Sequence, residues 1–455
     1  MTVRLSAGPG RSSYYYAVAV AFAVLASALA GRQLFMDGAS FVVQSLIDPT
    51  WFPQPTPRRF FAVLWTSGAV RLLGLVAPDA IVLGSFLFGL AAFTQTLIPV
   101  IVILRADLDE KIRHLLLVLF LSATVFISNF VVTELLFLLA LSTIFTVFTL
   151  SPTADPSGRL RMLVAVLLIA SYEVVVLTNT LLAIGSYLHG TQERRSRSSK
   201  IVLILLLLAA IPFQIGFYLI NSFPHTGNEL NPFVFALICV LGLAMVVASL
   251  GIRFLDRLHV PAFLIALIGF GIPVSLAFLD PAIAIRTRLY QWAYASRFYT
   301  VCVTITIAAL PLVTHTLLRP ILMSVLDWFG EKTLRGTSMA MVGFFLGFSL
   351  LASADAYRYR MALENAFTRH AGVISVNDCD FCEHPARYGV PDLGYPWLWP
   401  LYSIAYSMKR QDQPALLVFH PAGDAREVDK KQMHGVFQKQ IALRAVRHSV
   451  VGDKK

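Results

Sequence analysis

The stretch "LRMLVAVLLIASYEVVVLTNTLLAIGSYL" runs from Leu160 to Leu188, and its reading decides the fold. Its length and apolar character fit a membrane helix. Ser171, Tyr172 and Glu173 interrupt its middle. Read as one span, it places the basic loop "QERRSRSSK" (Gln192 to Lys200) on the outer side of a membrane. Read as two short helices turning at Tyr172 and Glu173, it places that loop inside.

The charge of the short loops decides between the two. With the N-terminus inside and this stretch split, inner loops receive sixteen Lys and Arg and outer loops seven. Inner loops of membrane proteins carry that excess. The split is therefore expected, and with it eleven spans. They fall at roughly 14–31, 80–104, 113–128, 134–151, 161–171, 174–188, 201–221, 232–252, 260–279, 299–318 and 337–355.

Composition supports a membrane reading. The 455 residues are 57% hydrophobic and only 14% charged, with a mean hydropathy of +0.69. Soluble domains carry about 25% charged residues. The fold class expected is an all-α polytopic membrane protein with a small C-terminal α+β extracytoplasmic domain. A β-barrel would alternate apolar and polar residues, and these runs are continuous. The first run, Tyr14 to Ala30, is read as a span and not as a signal peptide. The net charge of +11 lies in loops that set orientation, so no nucleic-acid partner is expected.

This topology puts three features outside. The first is the loop Arg32 to Pro78, in which "PTWFPQPTPRRFFAVLWTSGAVRLL" reads as containing a helix in the interface. The second is "DPAIAIRTRLYQWAYASRFY", Asp280 to Tyr299. The third is the polar tail after about Ala356, where "PALLVFH" (Pro414 to His420) reads as a buried strand. The expected domains are residues 1–355 and 356–455.

Several residues in these features carry candidate chemistry. Asp37, in "GRQLFMDGAS" (Gly31 to Ser40), follows the first span. It is a general base for an acceptor hydroxyl or an N-cap for the run after it. Asp48 in "DPTW" is a second loop carboxylate or a turn residue. Glu134 and Glu173 stand at the outer ends of short spans, where a carboxylate faces an interior hollow or compensates a helix dipole. Tyr172, Asn129 and Asn179 lie near that hollow. Arg286, Arg288 and Arg297 sit outside among aromatics and either grip a phosphate or anchor the chain to headgroups. Arg58 and Arg59 are weaker candidates of the same kind. His225 in "NSFPHTGNELNP" is a base or a plain loop histidine.

Two motifs read as bland. "DLD" (Asp107 to Asp109) falls in an inner loop. Cys379 and Cys382 form a CxxC without a second cysteine pair for zinc. A local structural disulfide is the reading for them, since the βαβ setting of a redox motif is missing from the sequence.

Taken together, the outer Asp37-Gly38-Ala39, the short spans ending in Glu134 and Glu173, the outer arginines and the outer tail resemble the GT-C superfamily of membrane glycosyltransferases. The resemblance covers residues 1–355 as architecture. It implies a bacterial inner-membrane enzyme of the cell envelope, a hexosyl- or pentosyltransferase with its N-terminus inside and its C-terminal domain outside. It implies a polyprenyl-phosphate-linked sugar as donor and a glycan, lipid or protein as acceptor, in contact with membrane lipids. Asp37 would be the catalytic base with Glu173 in support. Arg286, Arg288, Arg297 and Arg58 would hold the donor phosphate. Asp48, Glu134, Tyr172 and His225 would line the cavity. No cofactor is expected. Family members often carry a second carboxylate directly after the base; Gly38 stands there, which leaves divalent-metal dependence open. The rival reading is a transporter or flippase for a lipid-linked or amphiphilic substrate, supported by ionisable residues at membrane depth and broken helices.

Overall fold

The computed structural model describes residues 11–34, 37–48, 59–130, 134–155, 157–172, 174–190, 197–220, 293–315, 318–388, 399–419 and 435–442. The described chain is mostly helical. Helices α1 (Arg11–Ala30), α2 (Asp37–Ile47), α3 (Phe60–Val76), α4 (Ile81–Arg105), α5 (Glu110–Phe130) and α6 (Glu134–Leu150) come first. Then follow α7 (Arg159–Ile169), α8 (Val175–Gly190), α9 (Arg197–Ile220), α10 (Ala293–His315), α11 (Arg319–Phe329) and α12 (Glu331–Phe367). The C-terminal region adds β1 (Gly372–Ser375), α13 (Asp380–Glu383), α14 (Trp399–Lys409) and β2 (Leu416–Phe419).

The decisive stretch does break where its polar trio stands. Helix α7 ends at Ile169 and α8 begins at Val175. Ser171 Oγ donates to the Leu168 carbonyl at 3.0 Å, and the Tyr172 carbonyl accepts from Val175 N–H at 3.1 Å. Side-chain and turn bonds thus satisfy backbone groups that the break releases.

The expected count of eleven spans is not what the described residues carry. Two helices, α4 and α12, are long and apolar enough to cross a membrane. A third span results if α10 and α11, bent by 112°, count as one. Most of the described apolar runs do fold as helices, yet α3 and α6 have 17 residues and α8 has 16. A crossing takes about 20 at about 1.5 Å each. Helix α5 is longer, but Glu110, Lys111, Arg113 and His114 occupy its start. The spans expected at 232–252 and 260–279 lie outside the described residues.

The bundle is stitched by hydroxyls and one amide. Helix α1 packs between α4 and α12, α5 lies on α12 and α10, and α8 lies on α10 and α9. Thr146 Oγ1 donates to the Ile307 carbonyl at 3.1 Å, Thr300 Oγ1 to Ala123 at 3.2 Å, and Asn179 Nδ2 to Leu207 at 3.1 Å. Such bonds join helices where apolar contact alone is not selective. Gly185 permits a close approach of α8 to α10: a Cβ there would stand 2.7 Å from the Pro311 Cβ.

A second core sits at one end of this bundle. It joins Val42, Val43 and Leu46 of α2, Val70 of α3, Phe88 of α4 and Tyr359 of α12 to Phe381, Trp399, Ile404 and Leu417. Strands β1 and β2 pair in parallel, Gly372 opposite Leu416 through Ser375 opposite Phe419. Leu416, Leu417 and Val418 are fully buried, so the strand expected within Pro414 to His420 is present. Helix α12 runs unbroken across positions 355 and 356, where a domain boundary was expected. Its helix-forming residues, "ALENAF" among them, carry it on after the polarity changes.

Candidate functional site

Asp37 opens α2. The turn before it is fixed by Arg32 and Gln33, both buried. Arg32 Nη1 donates to Ser27 Oγ at 2.5 Å and to the Ser349 carbonyl of α12 at 3.5 Å. Its guanidinium lies over the Phe93 ring at 5.1 Å. Gln33 Nε2 donates to the carbonyls of Ala28 and Ser85 at 3.2 and 2.7 Å, and to Ser85 Oγ at 2.8 Å. One strand of chain is thereby clamped to α1, α4 and α12 at once.

Gly38 has a steric reason for following Asp37. A Cβ at position 38 would lie 1.7 Å from the Gln33 carbonyl oxygen, a distance no side chain survives. The second carboxylate of the resemblance therefore cannot stand there. Phe88 borders the same spot, its ring 3.5 Å from that imagined Cβ. The start of α2 thus lies beside α4 two turns in from the Ile81 end, alongside the apolar helix instead of beyond it.

A second cluster forms where three helices begin. Arg59 precedes α3 and makes no side-chain cap bond there. Its Nη1 stands 3.5 Å from Glu134 Oε1, and Glu134 is the first residue of α6. Its guanidinium lies 5.0 Å from the centre of the Tyr172 ring, in the turn that opens α8. Phe61 N–H donates to the Ala170 carbonyl at 3.1 Å, tying α3 to the α7–α8 break. Gln214 Nε2 of α9 donates to the Ile169 carbonyl at 3.1 Å.

The electrostatics of this cluster favour an anion. The N-termini of α3, α6 and α8 lie near Arg59, and each carries a partial positive charge. Glu134 supplies the negative charge in the structure. The two side chains are half-buried, 30% and 17% exposed.

The expected site residues divide accordingly. Glu134 and Tyr172 both adjoin Arg59. The cation they share is Arg59; Arg58 lies outside the described residues. Asp48 belongs elsewhere: Lys439 Nζ stands 2.7 Å from its Oδ2, and Arg71 of α3 is within its field. It fastens the second core. Glu173, His225, Arg286 and Arg288 lie outside the described residues. Arg297 stands in the first turns of α10. Arg32 and Gln33 were missed, although an arginine directly after a long apolar run was a readable signal.

Metal and redox chemistry find these settings. Among the described residues, no three His, Cys, Asp or Glu side chains gather as metal ligands. Cys379 and Cys382 are bonded to each other. The parallel β–α–β arrangement judged missing is present, with the CxxC just after β1. Both sulfur residues are buried, which withholds them from a thiolate partner, and Phe381 between them is a core residue. Its ring meets Tyr359, Tyr388 and Trp399 edge-on at 5.4, 5.3 and 6.3 Å. The disulfide holds that plug in place.

Comparison with known protein families, with characterised proteins and with solved structures yields no match.

Proposed function

We propose that the chain is a multi-pass membrane glycosyltransferase of GT-C-like architecture. It moves a sugar from a polyprenyl-phosphate donor to an extracytoplasmic acceptor hydroxyl with inversion. The observation that carries the reading is the placement of three helix N-termini near Arg59, with Glu134 and Tyr172 beside it, at the bundle end that also bears Asp37 and the C-terminal region. An anion site there fits a lipid-linked phosphate arriving from between the helices.

In this mechanism Asp37 takes the proton of the acceptor hydroxyl. The acceptor oxygen bonds to the anomeric carbon as the bond from that carbon to the phosphate oxygen breaks. The electron pair goes to the phosphate, whose growing charge Arg59 and the helix termini stabilise. Arg286, Arg288 and Arg297 remain donor-side candidates, and Glu173 a supporting carboxylate.

Lipids that co-purify with the detergent-extracted protein test the donor site. Mass spectrometry is expected to find a polyprenyl phosphate or its sugar adduct on the wild type and to lose it in Arg59→Ala, with Arg59→Lys retaining part. Bulk phospholipid alone in every sample would count against a lipid-phosphate donor.

The α7–α8 break favours one other reading, a transporter with discontinuous helices. Arg59→Cys, at a side chain 30% exposed, separates the two. A glycosyltransferase exposes that thiol to an impermeant reagent from the outer side only. A transporter exposes it from both sides in turn.

A further inference from the structure

At the opposite end of the bundle lies α11, which the sequence reading had absorbed into a loop. It leaves the direction of α10 at 112°. If α10 runs along a membrane normal, α11 lies about flat in the membrane plane. Gly330, at φ +70, turns the chain sharply into α12, and its N–H bonds back to Leu326 and Asp327. Only a glycine holds that backbone without strain.

The faces of α11 are sorted three ways. Leu326 is buried and Leu322 packs on the bundle core. Asp327, on another side, is paired with Lys111 at the start of α5, which fastens the helix to its neighbour. The remaining face carries Ile321, Val325 and Trp328 at i, i+4 and i+7. Ile321 is 42% exposed and Trp328 58%. Nothing in the bundle covers these two, and tryptophan is the side chain enriched at the membrane–water boundary.

Exposed cations flank that face. Arg319 begins α11, and Lys332 and Arg335 lie in the first two turns of α12; all three are exposed. Among the described residues none of them forms an ion pair or side-chain hydrogen bond. Their partner is chosen by charge complementarity: an anionic group at the depth where Trp328 sits.

We propose that α11 is a membrane-surface foot that seats Ile321 and Trp328 among the upper acyl carbons and binds the phosphates of anionic lipids through Arg319, Lys332 and Arg335. The inference rests on the membrane reading and not on sugar transfer, so it stands or falls separately. It also assigns this bundle end to the leaflet with anionic lipid, opposite the Arg59 cluster.

The test uses the full chain in nanodiscs containing phospholipids brominated near the headgroup or deep in the chain. The fluorescence of wild type minus that of Trp328→Phe isolates one indole. Stronger quenching by the shallow bromines is expected; equal quenching at both depths, or none at either, would overturn the placement. Native mass spectrometry of nanodisc-extracted protein then reads retained phosphatidylglycerol. The Arg319→Gln/Lys332→Gln/Arg335→Gln variant is expected to lose several-fold of it relative to phosphatidylcholine. Unchanged retention would overturn the headgroup site. The quenching experiment needs no cation variant, so a variant that fails to fold still leaves the proposal exposed to refutation.

Discussion

The helical bundle and the C-terminal region present opposite surfaces. Along α1, Tyr14, Val18, Phe22, Leu25 and Leu29 stand exposed, and Leu72, Leu75 and Val76 do the same on α3. Among described residues 372–442, only Val373, Tyr388 and Ile441 are large exposed hydrophobics. That region shows ion pairs instead, Arg387 with Asp380 at 3.0 Å and Arg410 with Asp412 at 3.4 Å. The two surfaces fit different solvents, lipid for one and water for the other. Helix α12 crosses the border. Its charge-free part, Gly336 to Ala354, lies between Arg335 and Asp355. Nineteen residues at about 1.5 Å each cover about 28 Å, close to the thickness of a hydrocarbon core.

The joint between the two regions is the place to break them apart. Gly38→Ala would drive a Cβ into the Gln33 carbonyl. We expect the largest loss here, more than about 4 kcal/mol, seen as failure to recover monodisperse protein or a collapsed thermal transition. A variant that melts like the wild type would mean that the turn is not the joint.

Phe381→Ala acts on the water-facing side alone. Emptying an aromatic core position costs about 3 to 5 kcal/mol. Limited proteolysis should then cut beyond α12 while the bundle stays intact. Simultaneous loss of the bundle would show that the two regions do not melt separately.

Reducing the disulfide is a milder cut. A four-residue loop constrains the unfolded chain by about 2 kcal/mol. Cys379→Ser/Cys382→Ser should make the C-terminal region sensitive to protease and indifferent to reductant. The bundle should respond to neither.

The smallest effect is one of pH. The Tyr388 hydroxyl donates to Asp380 at 2.8 Å, and this bond, aided by Arg387, holds the carboxyl below the usual carboxylate range. A carboxyl with a lower value folded than unfolded adds stability above its unfolded value of about 3.9. That contribution fades as pH falls through the folded value. The same bond raises the Tyr388 hydroxyl, so its share is present below about pH 10 and is lost above. Tyr388→Phe should remove the acid dependence of C-terminal unfolding and leave the bundle transition unmoved. An unchanged acid profile would assign it to other carboxylates.

Much of this was legible in the residues. The helices at 81–105, 134–150 and 175–190 begin and end within two residues of the sequence reading, because charges or polar trios mark their ends. The break at Tyr172 was legible for the same reason. Span number was not, since an apolar run does not show where its helix stops short of a crossing length. The length of α12 was hidden because helix propensity continues past Asp355 while polarity changes. Nothing in the sequence singled out Arg59, whose guanidinium the start of α3 brings to Glu134. Gly38 read as a missing carboxylate, and only the approach of the Gln33 carbonyl shows it to be a required absence.

Asp37 remains the most exposed claim. Its most direct test is release of polyprenyl phosphate from a panel of synthetic polyprenyl-phosphate sugars by the purified, reconstituted protein. The account predicts release by the wild type with at least one sugar. It predicts that Asp37→Asn still co-purifies with the lipid-linked sugar and falls at least 100-fold in release, about 2.7 kcal/mol of barrier. Release by Asp37→Asn at the wild-type rate would contradict it.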